Sequence, residues 1–193
     1  MFGHNKLRRV AKVFLRIATI TLLLGAALIG IGVGFPFWYQ DSTLNIGIFE
    51  RCQSGKCTST FQKNPGIFKT KSTFRSLLIV AVLVTPLLAG LVIGGCAMLC
   101  FANIFLCCYP YKKVIDHCKV CIGICVCVCI FVGVAAIMTA VALYPFILLD
   151  NNLKPYQVYQ KLGYAYYITG AGTIVALAAG VLFILHLFFA VYF

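Results

Sequence analysis

Covalent chemistry in this chain would fall to its 11 cysteines, which form two sets. Cys52 and Cys57 stand in a polar segment, separated by Gln53-Ser54-Gly55-Lys56. Ser-Gly is a turn dipeptide, so the simplest reading is a short antiparallel hairpin closed by a disulfide. The chain-entropy account gives about 2 kcal/mol for so small a closed loop. A disulfide implies an oxidising compartment, which puts this segment outside the cell or in the secretory lumen. The other nine cysteines fall between Cys96 and Cys129. Cys118-x-x-Cys121, with Cys107, Cys108 and His117, has the residue types of a zinc site. It lies at or inside the membrane boundary and lacks a second Cys-x-x-Cys, so neither a metal nor another cofactor is expected. The juxtamembrane thiols Cys107, Cys108, Cys118 and Cys121 are better candidates for lipidation by S-acylation. Cys125, Cys127 and Cys129 read as small apolar packing residues.

No catalytic constellation accompanies these thiols. The four acidic residues are dispersed over the loops, with no pair placed for acid–base work. No Gly-rich phosphate loop and no Ser/His/Asp set can be assembled on one side of a membrane, so an enzyme is not expected. His186 is the one ionisable residue well inside an apolar run, and a neutral ring reaching towards the membrane interface is its expected state.

The elements that must position these residues follow from the composition. The chain has 193 residues, 62% hydrophobic and 10% charged, against about 25% charged in a typical soluble domain. Blocks free of Lys, Arg, Asp and Glu run over 17–40, 76–111, 120–149 and 162–193. Each exceeds the roughly 20 residues that span a bilayer as a helix. The expected organisation is a single four-helix transmembrane domain. Its first helix covers about 14–37, the first outer loop 38–75, the second helix 76–107 and the inner loop 108–118. The third helix covers 119–148, the second outer loop 149–161 and the fourth helix 162–190.

Lys6, Arg8, Arg9, Lys12 and Arg16 lead into the first block, which is too long for a cleaved signal and reads as a retained signal-anchor. With the N-terminus inside, eight basic residues fall on each side, so the charge rule alone does not orient the chain. The acid-free N-terminus and the Cys52/Cys57 pair both put the termini in the cytoplasm and the hairpin outside. The net charge of +12 sits beside membrane spans, where it suits anionic lipid headgroups rather than nucleic acid. Gly30 and Gly34 in the first helix, and Gly90 and Gly94 in the second, have the spacing that lets helices approach closely in lipid. Packing within the chain's own bundle is the expected use; a dimerisation face is the other. Thr85-Pro86 is expected to kink the second helix.

With these residues in view, the chain resembles the claudin, epithelial membrane protein and peripheral myelin protein superfamily, which also includes calcium-channel gamma subunits. Trp38 matches that family's lone outer-loop Trp. Gly47-Ile48-Phe49-Glu50-Arg51-Cys52 matches its Gly-Leu-Trp-x-x-Cys block with conservative changes, Ile48 for Leu and Phe49 for Trp, Cys57 matches its second Cys, and Arg75 the Arg opening its second helix. Gly163-Tyr164-Ala165-Tyr166 and Gly180-Val181-Leu182-Phe183 resemble its fourth helix, although the Trp that usually follows there is absent. The resemblance implies an all-α membrane protein with a small antiparallel extracellular sheet built from both outer loops. Trp38 and Phe49 would then pack at the membrane interface. It also implies a plasma-membrane protein, acting at cell junctions or by packing with itself or another integral membrane protein. The alternative is an auxiliary subunit of an ion channel or receptor. If the first outer loop lined a paracellular pore, its excess of basic residues, Arg51 and Lys56 among them, would favour anions.

Overall fold

The computed structural model describes residues 2–40, 44–53, 55–59, 75–108, 116–149 and 160–192. Four helices carry the chain: α1 (Phe2–Gly34), α2 (Arg75–Cys108), α3 (Asp116–Leu149) and α4 (Tyr164–Tyr192). Four short strands lie between α1 and α2: β1 (Tyr39–Gln40), β2 (Leu44–Ile46), β3 (Glu50–Gln53) and β4 (Lys56–Ser59).

The helices contain long apolar stretches. Arg9–Gly34, Cys121–Pro145 and Tyr164–Ala190 are each long and apolar enough to cross a membrane. In α2 the described apolar stretch is shorter, Gly90–Leu106. The chain thus has the make-up of a multi-pass membrane protein. Helix α1 begins well before the expected boundary near residue 14. Its basic lead is rich in Lys and Arg, which are good helix formers, so the helix continues to Phe2. At its other end α1 stops at Gly34, ahead of Pro36, which has no N–H to continue the ladder. Helix α2 remains helical through Pro86.

The helices pack as two pairs, α1 with α4 and α2 with α3, and the contact between α3 and α4 is the larger of the links joining them. The α1–α4 seam is made by backbone approach. A Cβ added at Gly25 would meet the Ala176 nitrogen at 2.8 Å and the Gly172 carbonyl oxygen at 2.9 Å. A Cβ at Gly172 would meet the Ile29 nitrogen at 2.9 Å. Ala165, Thr169, Ala176 and Ala179 are buried on the same side of α4, so small side chains line this part of the seam, and larger rings, Phe14 stacked on Phe189, meet nearer its other end. In lipid no hydrophobic effect drives helices together, and close packing of this kind takes its place. The hydroxyls of Thr169 and Thr173 do not cross the seam. They bond back to the Ala165 and Thr169 carbonyls at 2.9 and 2.7 Å, which satisfies them within α4. The α2–α3 pair uses the same device at Gly95 and Gly133, where a Cβ on either would stand 2.8 to 2.9 Å from the other's carbonyl oxygen.

These contacts correct the expectation for the glycine pairs. Among the described residues, a Cβ at Gly30, Gly34, Gly90 or Gly94 meets nothing within 4 Å. The close contacts between helices are made instead by other glycines, Gly25, Gly32 and Gly172 in the α1–α4 pair and Gly95 and Gly133 in the α2–α3 pair. His186 is corrected as well. It is buried, and its Nδ1 lies 2.8 Å from the Ala11 carbonyl oxygen of α1. A carbonyl only accepts, so Nδ1 carries the proton and donates across the helix pair instead of reaching for the interface.

The sheet is an antiparallel meander in the order β1-β2-β3-β4. Its register pairs Tyr39 with Ile46, Asn45 with Cys52, and Cys52 with Cys57. Strands this short are marginal alone, so their attachment to the helices decides whether the sheet holds.

Candidate functional site

The region where the sheet meets the bundle gathers most of the sequence-predicted residues, and Trp38 is at its centre. After Pro36 the chain turns, and Trp38 enters the layer between helices and sheet with no exposed surface. Its indole Nε1–H donates to the Gly32 carbonyl at 2.7 Å. That carbonyl belongs to the last turn of α1, where the helix has no donor of its own to offer. The Trp38 backbone N–H donates to the Ile46 carbonyl of β2 at 3.1 Å, and its carbonyl accepts from the Gly163 N–H at 2.9 Å. One residue therefore ties α1, the sheet and the approach to α4.

The ring is held edge-on by two tyrosines. Tyr144 of α3 lies 5.0 Å away, centroid to centroid, and Tyr166 of α4 lies 5.8 Å away. Edge-to-face pairs place the positive ring edge on the negative face. Tyr144 is buried, and its hydroxyl donates to the Ile46 carbonyl at 3.2 Å, the oxygen that Trp38 also uses. Trp38 is thus a buried keystone and not an interfacial anchor. Phe49, expected beside it at the interface, is half-buried and packs against the same core, and Gly47 and Ile48 are buried.

The segment before α4 closes the β1 edge. The Gln40 N–H donates to the Lys161 carbonyl at 2.8 Å, and Leu162 bridges Tyr39 in antiparallel sense. Gly163 is required here, since a Cβ would collide with the Phe37 carbonyl oxygen. The other edge, β4, has no neighbouring strand among the described residues.

Cys52 and Cys57 form a disulfide across paired positions of β3 and β4, with their Cα atoms 4.0 Å apart. The turn between them takes Gly55 at φ +82°, a left-handed conformation that glycine adopts without steric cost. Lys56 is exposed beside it. Arg51 is placed by its backbone opposite Ile46 and Thr58, and Arg75 opens α2. The side chains of Arg51, Arg75, Cys107, Cys108 and Cys118 lie outside the described residues, although the last three sit on the ends of α2 and α3. Residues 109–115 of the expected inner loop and 150–159 of the second outer loop also lie outside them.

Cys121, Cys125 and Cys100 are exposed, and Cys127 and Cys129 pack in part against the core. Cys125 therefore departs from the packing role expected of it. Among the described residues, no three His, Cys, Asp or Glu side chains come together as a metal site.

The sequence reading missed Tyr144, Gly32 and Gly25. For Tyr144 a signal existed: a hydroxyl-bearing aromatic near the end of an apolar block needs a partner for that hydroxyl. Gly25 and Gly172 carried no signal of this kind, because the partner helix decides which small residue becomes the contact. No protein-family model matches this chain, and no curated protein matches it.

Proposed function

We propose that the chain is a non-enzymatic, claudin-like four-span protein of the plasma membrane that works by packing against itself and other membrane proteins and by contacts at cell junctions. In this reading α2 is the fourth span. At about 1.5 Å per residue its length exceeds the roughly 30 Å hydrocarbon core. Both termini are cytoplasmic, and the disulfide-closed sheet stands outside.

The observation that carries the reading is the Trp38 junction. A stapled sheet fixed to α1, α3 and α4 is a display device: it holds the Lys56 turn and the β4 edge, unpaired among the described residues, in a defined place. Exposed sheet edges are natural sites for pairing with another chain. Lateral association has its own support in Gly30, Gly34, Gly90 and Gly94, which leave bare backbone on surfaces that would face lipid.

The same open glycines favour a second reading, an auxiliary subunit seated against a larger channel or receptor. Extraction from native membranes in a mild detergent separates the two. A complex built from this chain, alone or as a ladder, supports the organiser. A fixed-stoichiometry complex with a channel supports the subunit. A monodisperse single copy removes both.

A further inference from the structure

We propose that the inner end of α1 binds an anionic phospholipid whose headgroup carries phosphate monoesters. The headgroup sits on Arg9, Lys12 and Arg16, and an acyl chain runs along Val13, Ile17, Ile20 and Leu24. The three basic residues are exposed, and their spacings of three and four put them on one face of the helix. Val13, Ile17, Ile20 and Leu24 follow at four, three and four, and form an exposed apolar stripe beside it. The opposite side of α1 is fixed on α4. There the His186 Nδ1–H donates to the Ala11 carbonyl, and the Phe14 ring stacks on Phe189 with centroids 5.7 Å apart. The basic ridge is therefore part of the packed bundle and not a loose lead.

The helices that pack on α1 bring these cations no counter-charge. Neither α4 nor α2 contains an Asp or a Glu. Of the chain's four acidic residues, Asp41 and Glu50 fall between α1 and α2 and Asp150 follows α3, all at the far end of the spans. Asp116 opens α3, which packs on α2 and α4. The depth of the ridge also suits a lipid. The apolar span of α1, Arg9–Gly34, has 26 residues, about 39 Å as a helix, against a hydrocarbon core of roughly 30 Å. With Gly34 at the outer boundary, Arg9 and Lys12 fall in the headgroup layer and Arg16 at its edge, while the apolar stripe continues into the core.

The donor set selects the headgroup. A guanidinium presents paired N–H groups that match two phosphate oxygens, and Lys12 adds a point charge between the two arginines. From Arg9 to Arg16 the helix rises about 10 Å, so the three cations address one headgroup and not a row of them. A zwitterionic headgroup brings a cation of its own. A phosphate monoester carries about two negative charges and three acceptor oxygens, which answers the full set. The proposal rests on the orientation given above, which puts this end of α1 in the cytoplasmic leaflet, where acidic lipids collect.

The test titrates the purified full chain, stripped of lipid in detergent, with short-chain phosphatidylinositol bisphosphate, phosphatidylserine or phosphatidylcholine, and counts bound lipid by native mass spectrometry. The bisphosphate should bind most tightly. Arg9→Gln with Lys12→Gln and Arg16→Gln should weaken it roughly a hundredfold, while Lys56→Gln leaves it unchanged. On the wild-type chain, where no variant need fold, a bisphosphate lipid with a photoreactive diazirine in its acyl chain should cross-link to peptides containing residues 13–24. Equal binding of the three lipids, or a bisphosphate preference that survives the triple substitution, overturns the proposal. Cross-links confined to α2 and α3 overturn the site. In detergent both ends of the chain are accessible, so none of these results depends on orientation. Antibody access to an N-terminal epitope in cells, before and after permeabilisation, reads the orientation separately, so a failure of that reading is seen on its own.

Discussion

The indole nitrogen of Trp38 donates to the carbonyl oxygen of Gly32, six residues back in the chain and 2.7 Å away. This bond turns the frayed end of α1 into the base on which the sheet is built. It has two separable parts, the hydrogen bond and the buried ring. Trp38→Phe keeps most of the ring and leaves the Gly32 carbonyl buried without this donor, which costs about 1–3 kcal/mol. Trp38→Ala also empties the space between Tyr144 and Tyr166 and costs about 3–5 kcal/mol. Thermal unfolding of the purified protein in detergent should rank wild type above Trp38→Phe and Trp38→Ala lowest. Equal midpoints for all three would remove Trp38 from its central place.

The Cys52–Cys57 disulfide closes a loop between two adjacent strands. Cys52→Ser with Cys57→Ser should lower stability by about 2 kcal/mol. The helices should stay intact, because the α1–α4 and α2–α3 seams do not involve the hairpin. The far-ultraviolet circular dichroism spectrum should therefore keep its helical intensity while the unfolding midpoint falls. A collapse of helical signal would show that the bundle depends on the staple.

Gly25 and Gly30 lie in the same helix, and only the first is packed. Gly25→Leu drives a side chain into the backbone of α4 near Ala176 and Gly172, and overpacking of this kind costs about 1–3 kcal/mol or more. Gly30→Leu meets none of the described residues and gains helix propensity of up to about 1 kcal/mol. The midpoint should drop for the first and hold or rise for the second. If Gly30→Leu instead leaves the monomer stable but shifts the size of the complex extracted from membranes, the open face is an assembly surface.

Much of this arrangement was legible in the sequence, for identifiable reasons. Trp38 and the Cys52/Cys57 pair stood out because a lone Trp and two isolated thiols in a polar segment have few structural uses. The helices announced themselves by charge-free length. Which face of each helix packs was not legible. Gly30 and Gly34 have the same spacing as a packing pair, and nothing in α1 alone says that Gly25 is the residue facing α4. That choice is made by the buried row Ala165, Thr169, Gly172 and Ala176, more than a hundred residues away. The burial of Trp38 was missed for a similar reason, since its environment is completed by Tyr144 and Tyr166 from two other helices.

The charge of the hairpin tip carries a prediction of its own. If the sheet lines a path for ions between cells, Arg51→Glu with Lys56→Glu should reverse the preference from anions to cations. Dilution potentials across epithelial monolayers expressing each form read the sign directly. An unchanged sign would remove any pore-lining part for this loop.

The account stands most directly on where the hairpin lies and whether its cysteines are joined. Intact cells are treated with a membrane-impermeant maleimide, with and without an impermeant reductant, and the labelled cysteines are identified by mass spectrometry. The account predicts that Cys52 and Cys57 are unlabelled without reductant and labelled after it, with no permeabilisation needed. Labelling of the pair without reductant would contradict the disulfide. Labelling only after permeabilisation would contradict the external sheet on which the proposed function depends.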